Sequence, residues 1–383
     1  MPRLLYLLML CNLVQGTGVF VIGGILAPVA QDLNVSVAAA GQAMTAYAVS
    51  TAFMSPLLLV LTGRWPRRRA MLLGLGLFTA GSLACAFAPS LGWLLAGRVL
   101  MGMGAITTPI SGGAAVALAS PAQRGRALSL VFLGISLSYV IGTPLGAWLG
   151  FSYGWRWPVG LVAAASLLAA LAVWRLMPRD LNAPGASFAG VPRLLAQSAV
   201  ASTLALTLLY FVAIFMVFSY IGPVLQALAP MSAERLSFTL MLFGLAGVAG
   251  TLMGGWLNDR FGALRVLPVQ LTVLIAMMLV VPLTQGHYLP MVAVVVVWGL
   301  AGFGMMAPQQ SRLAALAPAH TPLLLSLNSS MLYLGTAIGA AIGGVVVGRV
   351  GFENLAWVGV PFALAGLATL WLSRRAVVPR APD

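Results

Sequence analysis

Long apolar stretches separated by short polar gaps run the length of the chain. The stretches cover about 4–30, 38–61, 70–88, 91–118, 127–149, 156–176, 198–222, 236–257, 265–284, 288–310, 322–347 and 355–373. Each is close to the roughly 20 residues that cross a bilayer as a helix. Lipid offers no partner to an unpaired backbone group, so every stretch is predicted to be helical. The gaps carry nearly all the charge. Of the 20 positive residues, all Arg, only Arg98 lies well inside a stretch, and none of the six carboxylates does. The pattern predicts an all-α polytopic membrane protein with twelve transmembrane helices, called spans 1–12 below.

Composition supports lipid as the solvent. Hydrophobic residues make up 61% of the chain and charged residues 7%, against about a quarter charged in ordinary globular domains. The first run continues to about Ala30 with no small-residue cleavage pattern, so it is expected to be span 1 and not a signal peptide. Cys11 and Cys85 both fall inside spans, which argues against a disulfide framework or a metal site.

The net charge of +14 could suggest a nucleic-acid partner, but the Arg residues lie in short gaps between spans, most of them on one side. Arg3, Arg64, Arg67, Arg68, Arg69, Arg124, Arg126, Arg175, Arg179, Arg193, Arg260, Arg265, Arg312, Arg374, Arg375 and Arg380 fall at one end of the bundle, 16 in all. Arg156, Arg235 and Arg349 fall at the other. This is the positive-inside bias, and it places both termini in the cytoplasm; the expected location is a bacterial-type inner membrane. These are the Arg-rich and Arg-poor ends.

Residues 177–197 form the longest gap, with Pro178, Pro184, Gly185 and Pro192. They divide the chain into pseudo-symmetric six-helix halves, 1–176 and 198–383. Pro28 in span 1 is matched by Pro223 after span 7, and Gly142 and Gly146 in span 5 by Gly339 and Gly343 in span 11. Such repeats mark two-half transporters with a site between halves at mid-membrane.

After span 8 the chain reads Gly255-Trp256-Leu257-Asn258-Asp259-Arg260-Phe261-Gly262. A carboxylate beside an Arg at a helix end can hold a neighbouring helix N-terminus and let go when the helices move. Span 4 carries Arg98-Val99-Leu100-Met101-Gly102-Met103-Gly104, and span 5 carries Gly142-Thr143-Pro144-Leu145-Gly146. On these motifs the chain resembles the major facilitator superfamily, in its drug:proton antiporter branch with sugar, arabinose and purine-nucleoside exporters. The resemblance implies alternating access, with Arg64, Arg67, Gly142, Pro144, Gly146, Asp259, Arg260 and Gly262 in gating and bending roles. The matching loop after span 2 has Leu59, Gly63 and Pro66 where the family has Gly, Asp and Gly, so the first-half gate lacks its acid.

Arg98 has two readings, a cavity cation that biases substrate charge or takes part in coupling, or a side chain that hydrogen-bonds backbone carbonyls and Tyr or Ser hydroxyls or snorkels outward. Relatives often carry acids in span 1, but here the run is Thr17-Gly18-Val19-Phe20. Asp32 is the nearest candidate proton site; the plainer reading is a helix-end residue. Candidate cavity residues are Asn12, Gln15, Tyr47, Arg98, Tyr139, Tyr210, Phe215, Asn328 and Tyr333, each of which could instead serve as an interhelical hydrogen bond or packing contact. With one Arg and no acid the cavity should repel organic cations. The expected function is export of a small neutral or anionic polar molecule, coupled through the resemblance to protons. The expected partners are that substrate and the bilayer, the state a monomer, and no cofactor or metal is called for. An importer or uniporter on the same fold is the alternative. No constellation of an intramembrane enzyme is visible, and a transporter-like sensor would need an added soluble domain.

Overall fold

A computed structural model of the protein describes residues 2–120, 123–179, 181, 191–316 and 321–375. Among these residues the regular structure is helical throughout. Eleven spans, from Arg3–Gly24 to Leu323–Val350, are long and apolar enough to cross a membrane. The twelfth is Leu355–Arg375, with its apolar part at Leu355–Trp371. Residues 182–190 of the expected linker lie outside the described residues, as do Asp180, His320 and Asp383.

Helix ends follow local chemistry more than hydropathy. Span 3 begins directly after Pro66, at Arg67, three residues before its apolar run. Span 8 is longer than its apolar run, Ala233–Phe261, so Asp259 and Arg260 belong to its last turn and not to a loop. Gly262 ends it at φ +79°, a conformation that glycine adopts without strain.

Five spans are interrupted, and prolines mark the places. Span 1 is Pro2–Gly24 followed by Leu26–Asp32, with Pro28 in the second piece. Span 7 is Ser198–Phe218 followed by Ile221–Leu228, with Pro223. Span 4 divides into Leu91–Gly104 and Thr107–Leu118, and span 10 into Tyr288–Gly304 and Met306–Leu316. Span 5 runs Arg124–Leu137, a π-helical turn at Ser138–Gly142, then Thr143–Tyr153. Pro144 has no N–H to offer the Val140 carbonyl, and a π turn just upstream absorbs that mismatch.

The repeat is visible in packing. A side-chain carbon at Gly142 would lie 2.0 Å from Thr17 Oγ1, and one at Gly339 2.5 Å from the Val212 oxygen. Span 5 thus lies closely on span 1, Gly142 against the Thr17 side chain, as span 11 lies on span 7, Gly339 against the Val212 backbone. By packing the chain divides into two units. One comprises Met1–Ala186, Ser219–Gln226 and Pro230–Gly244; the other comprises Ser187–Phe218, Ala227–Ala229 and Leu245–Asp383. The Arg-poor ends of spans 7 and 8 therefore pack with the first six spans.

Candidate functional site

The breaks in spans 4 and 10 occupy corresponding places near the middle of each helix. Each follows a Gly-x-Gly, Gly102-Met103-Gly104 or Gly302-Phe303-Gly304, and each has a proline as the third residue of the next helix, Pro109 or Pro308. The missing N–H of Pro109 leaves Ala105 without its usual helical donor, and that of Pro308 does the same for Gly304. Discontinuous helices at matching positions of two halves are the structural pointer to a substrate route.

A side chain from the first helix of each half reaches its break. Gln15 Nε2 donates to the Gly104 oxygen at 3.0 Å, and Gln15 Oε1 accepts from Thr108 Oγ1 at 3.1 Å. Tyr210 donates its hydroxyl to the Gly302 oxygen. One turn away, Asn12 Nδ2 donates to the Val131 oxygen on span 5 at 3.1 Å. Thr207 Oγ1 donates to Asn328 Oδ1 on span 11 at 2.6 Å, while Gln309 Nε2 donates to Thr207 Oγ1 at 2.9 Å and to the Thr203 oxygen at 2.6 Å. Asn12 pairs with Thr207, and Gln15 with Tyr210, at the same offset as Pro28 and Pro223. Four of the candidate residues, Asn12, Gln15, Tyr210 and Asn328, thus fall into one repeated arrangement.

Arg98 is 2% exposed. Its guanidinium donates to the carbonyls of Gly18 at 2.7 Å, Val19 at 3.0 Å and Ala43 at 3.1 Å, and lies 5.0 Å from the Tyr47 ring centroid. The adjacent void is about 10 Å³, the least that admits one water. The charge is spent on backbone, which is the second of its two readings. Tyr47 is buried beneath it. Tyr139 is half-buried and stacks on Phe20 at 4.4 Å. Phe215 is buried in an aromatic run from Tyr210 to Phe218, and Tyr333 is half-buried on span 11.

Asp32 sits at the Arg-poor end, at the close of the second piece of span 1. Its carboxylate accepts from Arg156 Nη1 and, at 3.1 Å, from Trp155 Nε1, while Arg156 Nη2 donates to the Ala88 oxygen at 2.8 Å. The bond from Arg156, then that from Trp155, holds the carboxyl below its ordinary range. Asp32 ties spans 1, 3 and 6 together as an ion.

Beside it, the first unit includes a contact seam with spans 7 and 8. Tyr220 lies where a side-chain carbon on Gly41 would be, 2.0 Å from its Cε1, and its hydroxyl accepts from Gln42 Nε2 at 3.5 Å. A carbon on Gly222 would lie 2.6 Å from the Gly24 oxygen, at the break in span 1. Ser237 Oγ donates to the Pro144 oxygen at 2.8 Å, and Gly244 is in backbone contact with Tyr139 in the π turn. Gly142, Pro144 and Gly146 are therefore placed between span 1 and this seam.

At the Arg-rich end Asp259 and Arg260 are exposed, and among the described residues neither forms an ion pair. Arg260 lies 5.6 Å from the ring centroids of Trp256 and Phe261. Arg64 is exposed, whereas Arg67 is buried with its backbone N–H bonded to the Leu181 oxygen at 2.8 Å.

Sequence reasoning missed the paired breaks, although Pro109 and Pro308 were the available signal. It also missed Gln42 and Gln270. The latter is 4% exposed, neither end of its amide has a hydrogen-bond partner among the described residues, and its Nε2 lies 2.4 Å from where a carbon on Gly304 would be.

A model of the Major Facilitator Superfamily matches residues 8–321 and 231–383. The MFS-type transporter YbcL of Bacillus subtilis is 30% identical over 93% of this chain and 91% of its own length. The inner membrane transport protein YdhP of Escherichia coli K12 is 29% identical over 94% and 93%. A bacterial homologue of the human lysosomal transporter Spinster, solved inward-facing and occupied, shares the fold with a TM-score of 0.84 at 18% identity, over 98% of this chain and 97% of that one.

Proposed function

The chain belongs to the major facilitator superfamily and is a secondary transporter working by alternating access, and from that premise we propose that it exports a small neutral polar molecule such as a sugar, a nucleoside or a neutral antibiotic. The carrying observation is the spent charge of Arg98, held by three backbone carbonyls, together with the lack of any carboxylate well inside a span. Amides and hydroxyls are then the polar groups at mid-depth. A bare organic ion entering such surroundings would lose its hydration without a counter-charge. This narrows the sequence expectation, in which Arg98 had favoured anions as well.

Export is supported by Gly142-Thr143-Pro144-Leu145-Gly146, which resembles the antiporter-branch signature and sits at the flexible π turn of span 5. In this reading the ancestral halves are 1–176 and 198–383, joined by 177–197, both termini are cytoplasmic, and the protein acts as a monomer in a bacterial inner membrane. Inverted membrane vesicles carrying the protein should accumulate a labelled neutral sugar or nucleoside from a panel. They should not accumulate ethidium or an organic anion of equal size. Uptake of the cation alone would end the proposal.

Uniport is a second reading, favoured by the ion pair that keeps Asp32 engaged with Arg156. Proton antiport remains what the family likeness implies. A pH-sensitive dye trapped in proteoliposomes separates the two: substrate addition shifts the internal pH under antiport and leaves it unchanged under uniport.

A further inference from the structure

Spans 9 and 12 are pinned together toward the Arg-poor end. Trp357 Nε1 donates to the Leu279 oxygen at 2.9 Å, and a carbon on Gly359 would lie 2.4 Å from Met278 Cε. Some ten residues nearer the Arg-rich end the same two helices leave a groove of about 470 Å³, lined by Pro268, Leu364, Leu367, Ala368, Leu370 and Trp371. Pro268 lies inside the helix Ala263–Val280 and presents its ring to the groove. Leu364, Ala368 and Trp371 are exposed, so the groove opens outward on a helix surface that belongs in lipid.

Two features identify what fits. The lining is apolar throughout, and the volume is within the range of about 300–1,000 Å³ typical of sites for single small molecules. Arg265 lies three residues before Pro268, on the same helix face and one turn nearer the Arg-rich end. It is exposed and forms no ion pair among the described residues. An apolar slot that ends at a basic group at membrane-surface depth matches an acyl chain below an acidic phosphate.

We propose that this groove binds one acidic phospholipid from the leaflet at the Arg-rich end, its acyl chain between spans 9 and 12 and its phosphate on Arg265. The site depends on the membrane-spanning fold and not on substrate, direction or coupling, so it can fail or stand apart from the transport reading. Trp371, half exposed at the same level, suits the interface between chain and headgroup.

The test uses the full-length protein in nanodiscs of equal phosphatidylcholine and phosphatidylglycerol, followed by stepwise delipidation in detergent and native mass spectrometry. One phosphatidylglycerol should outlast all phosphatidylcholine. Arg265→Gln should lower that preference about fivefold, the effect of one basic group at a membrane surface. Arg260→Gln should leave it in place. Ala368→Trp adds bulk on an exposed position and should abolish the retained lipid with helix content unchanged by circular dichroism. Equal retention of both lipids overturns the proposal. So does retention that neither Arg265→Gln nor Ala368→Trp changes, or equal losses in Arg265→Gln and Arg260→Gln.

Discussion

A cation in the middle of a membrane protein can be matched by carboxylates, by water or by the backbone itself, and Arg98 takes the third course. Its planar fork serves carbonyls from spans 1 and 2 at once, which a lysine ammonium on a single stem does less well. Arg98→Ala would remove three charge-assisted hydrogen bonds to helix carbonyls and leave a void under Tyr47, and is expected to cost about 3 kcal/mol. Arg98→Lys should recover only part of that in thermal unfolding of the purified protein. Full recovery would mean that charge and not geometry matters. The position of Arg98 was legible in the sequence; its bonding was not, because backbone carbonyls carry no residue signature. Asp32 teaches the same about partners, since Trp155 and Arg156 are more than a hundred residues away. Its folded-state pKa is lowered, so its contribution to stability is complete above the unfolded carboxylate value. That contribution is lost only as pH falls through the still lower folded value. Asp32→Asn should therefore shift stability by the same small amount at pH 5 and at pH 8, since exposed pairs contribute about 0–1 kcal/mol. A proton-carrying Asp32 would instead give a transport pH profile that the substitution flattens.

At the scale of helices, hydropathy located the spans to within a few residues, because length and apolarity are set by the bilayer. It could not locate the interruptions. Gly102, Gly104 and Pro109 look like packing residues in one dimension, and only their recurrence as Gly302, Gly304 and Pro308 marks a designed break. Pro28 and Pro223 were matched from sequence because they fall near span ends, where a proline stands out. Gln15 and Tyr210 were nominated as cavity residues without any sign that they serve the same break in each half. Gln270 was overlooked because a single amide near a span end is unremarkable until its burial is known. It lies against Gly304 with neither end bonded among the described residues, and an unsatisfied buried amide costs about 1–3 kcal/mol. Leucine has nearly its shape and no such cost. Gln270→Leu is expected to stabilise the protein by about 1 kcal/mol in thermal unfolding. A lower unfolding temperature would show that the amide has a partner and that its place beside the break is purely structural.

For the molecule as a whole, the sequence divided the chain at 177–197, while packing assigns Ser219–Gln226 and Pro230–Gly244 to the first unit. The two divisions answer different questions, one about the repeat and the other about which surfaces touch in this conformation. Hydrophobic pattern encodes the first alone, since a transporter's alternative contacts are all apolar and all permitted. The seam at the Arg-poor end relies on missing side chains: Gly41 admits Tyr220, and Gly222 meets the Gly24 backbone. If alternating access opens this seam, a wedge at Gly41 should hold it apart. Gly41→Val would place its side chain on the Tyr220 ring, and Tyr220→Ala should relieve the clash. Ser237→Cys, on the seam through its bond to Pro144, reports the state, because the native Cys11 and Cys85 are buried. A membrane-impermeant maleimide added from the Arg-poor side should label Ser237→Cys faster in the Gly41→Val background. It should label the Gly41→Val, Tyr220→Ala double variant at close to the original rate. Equal rates in all three would mean that the Tyr220–Gly41 contact does not close the path, and that the seam persists through the transport cycle.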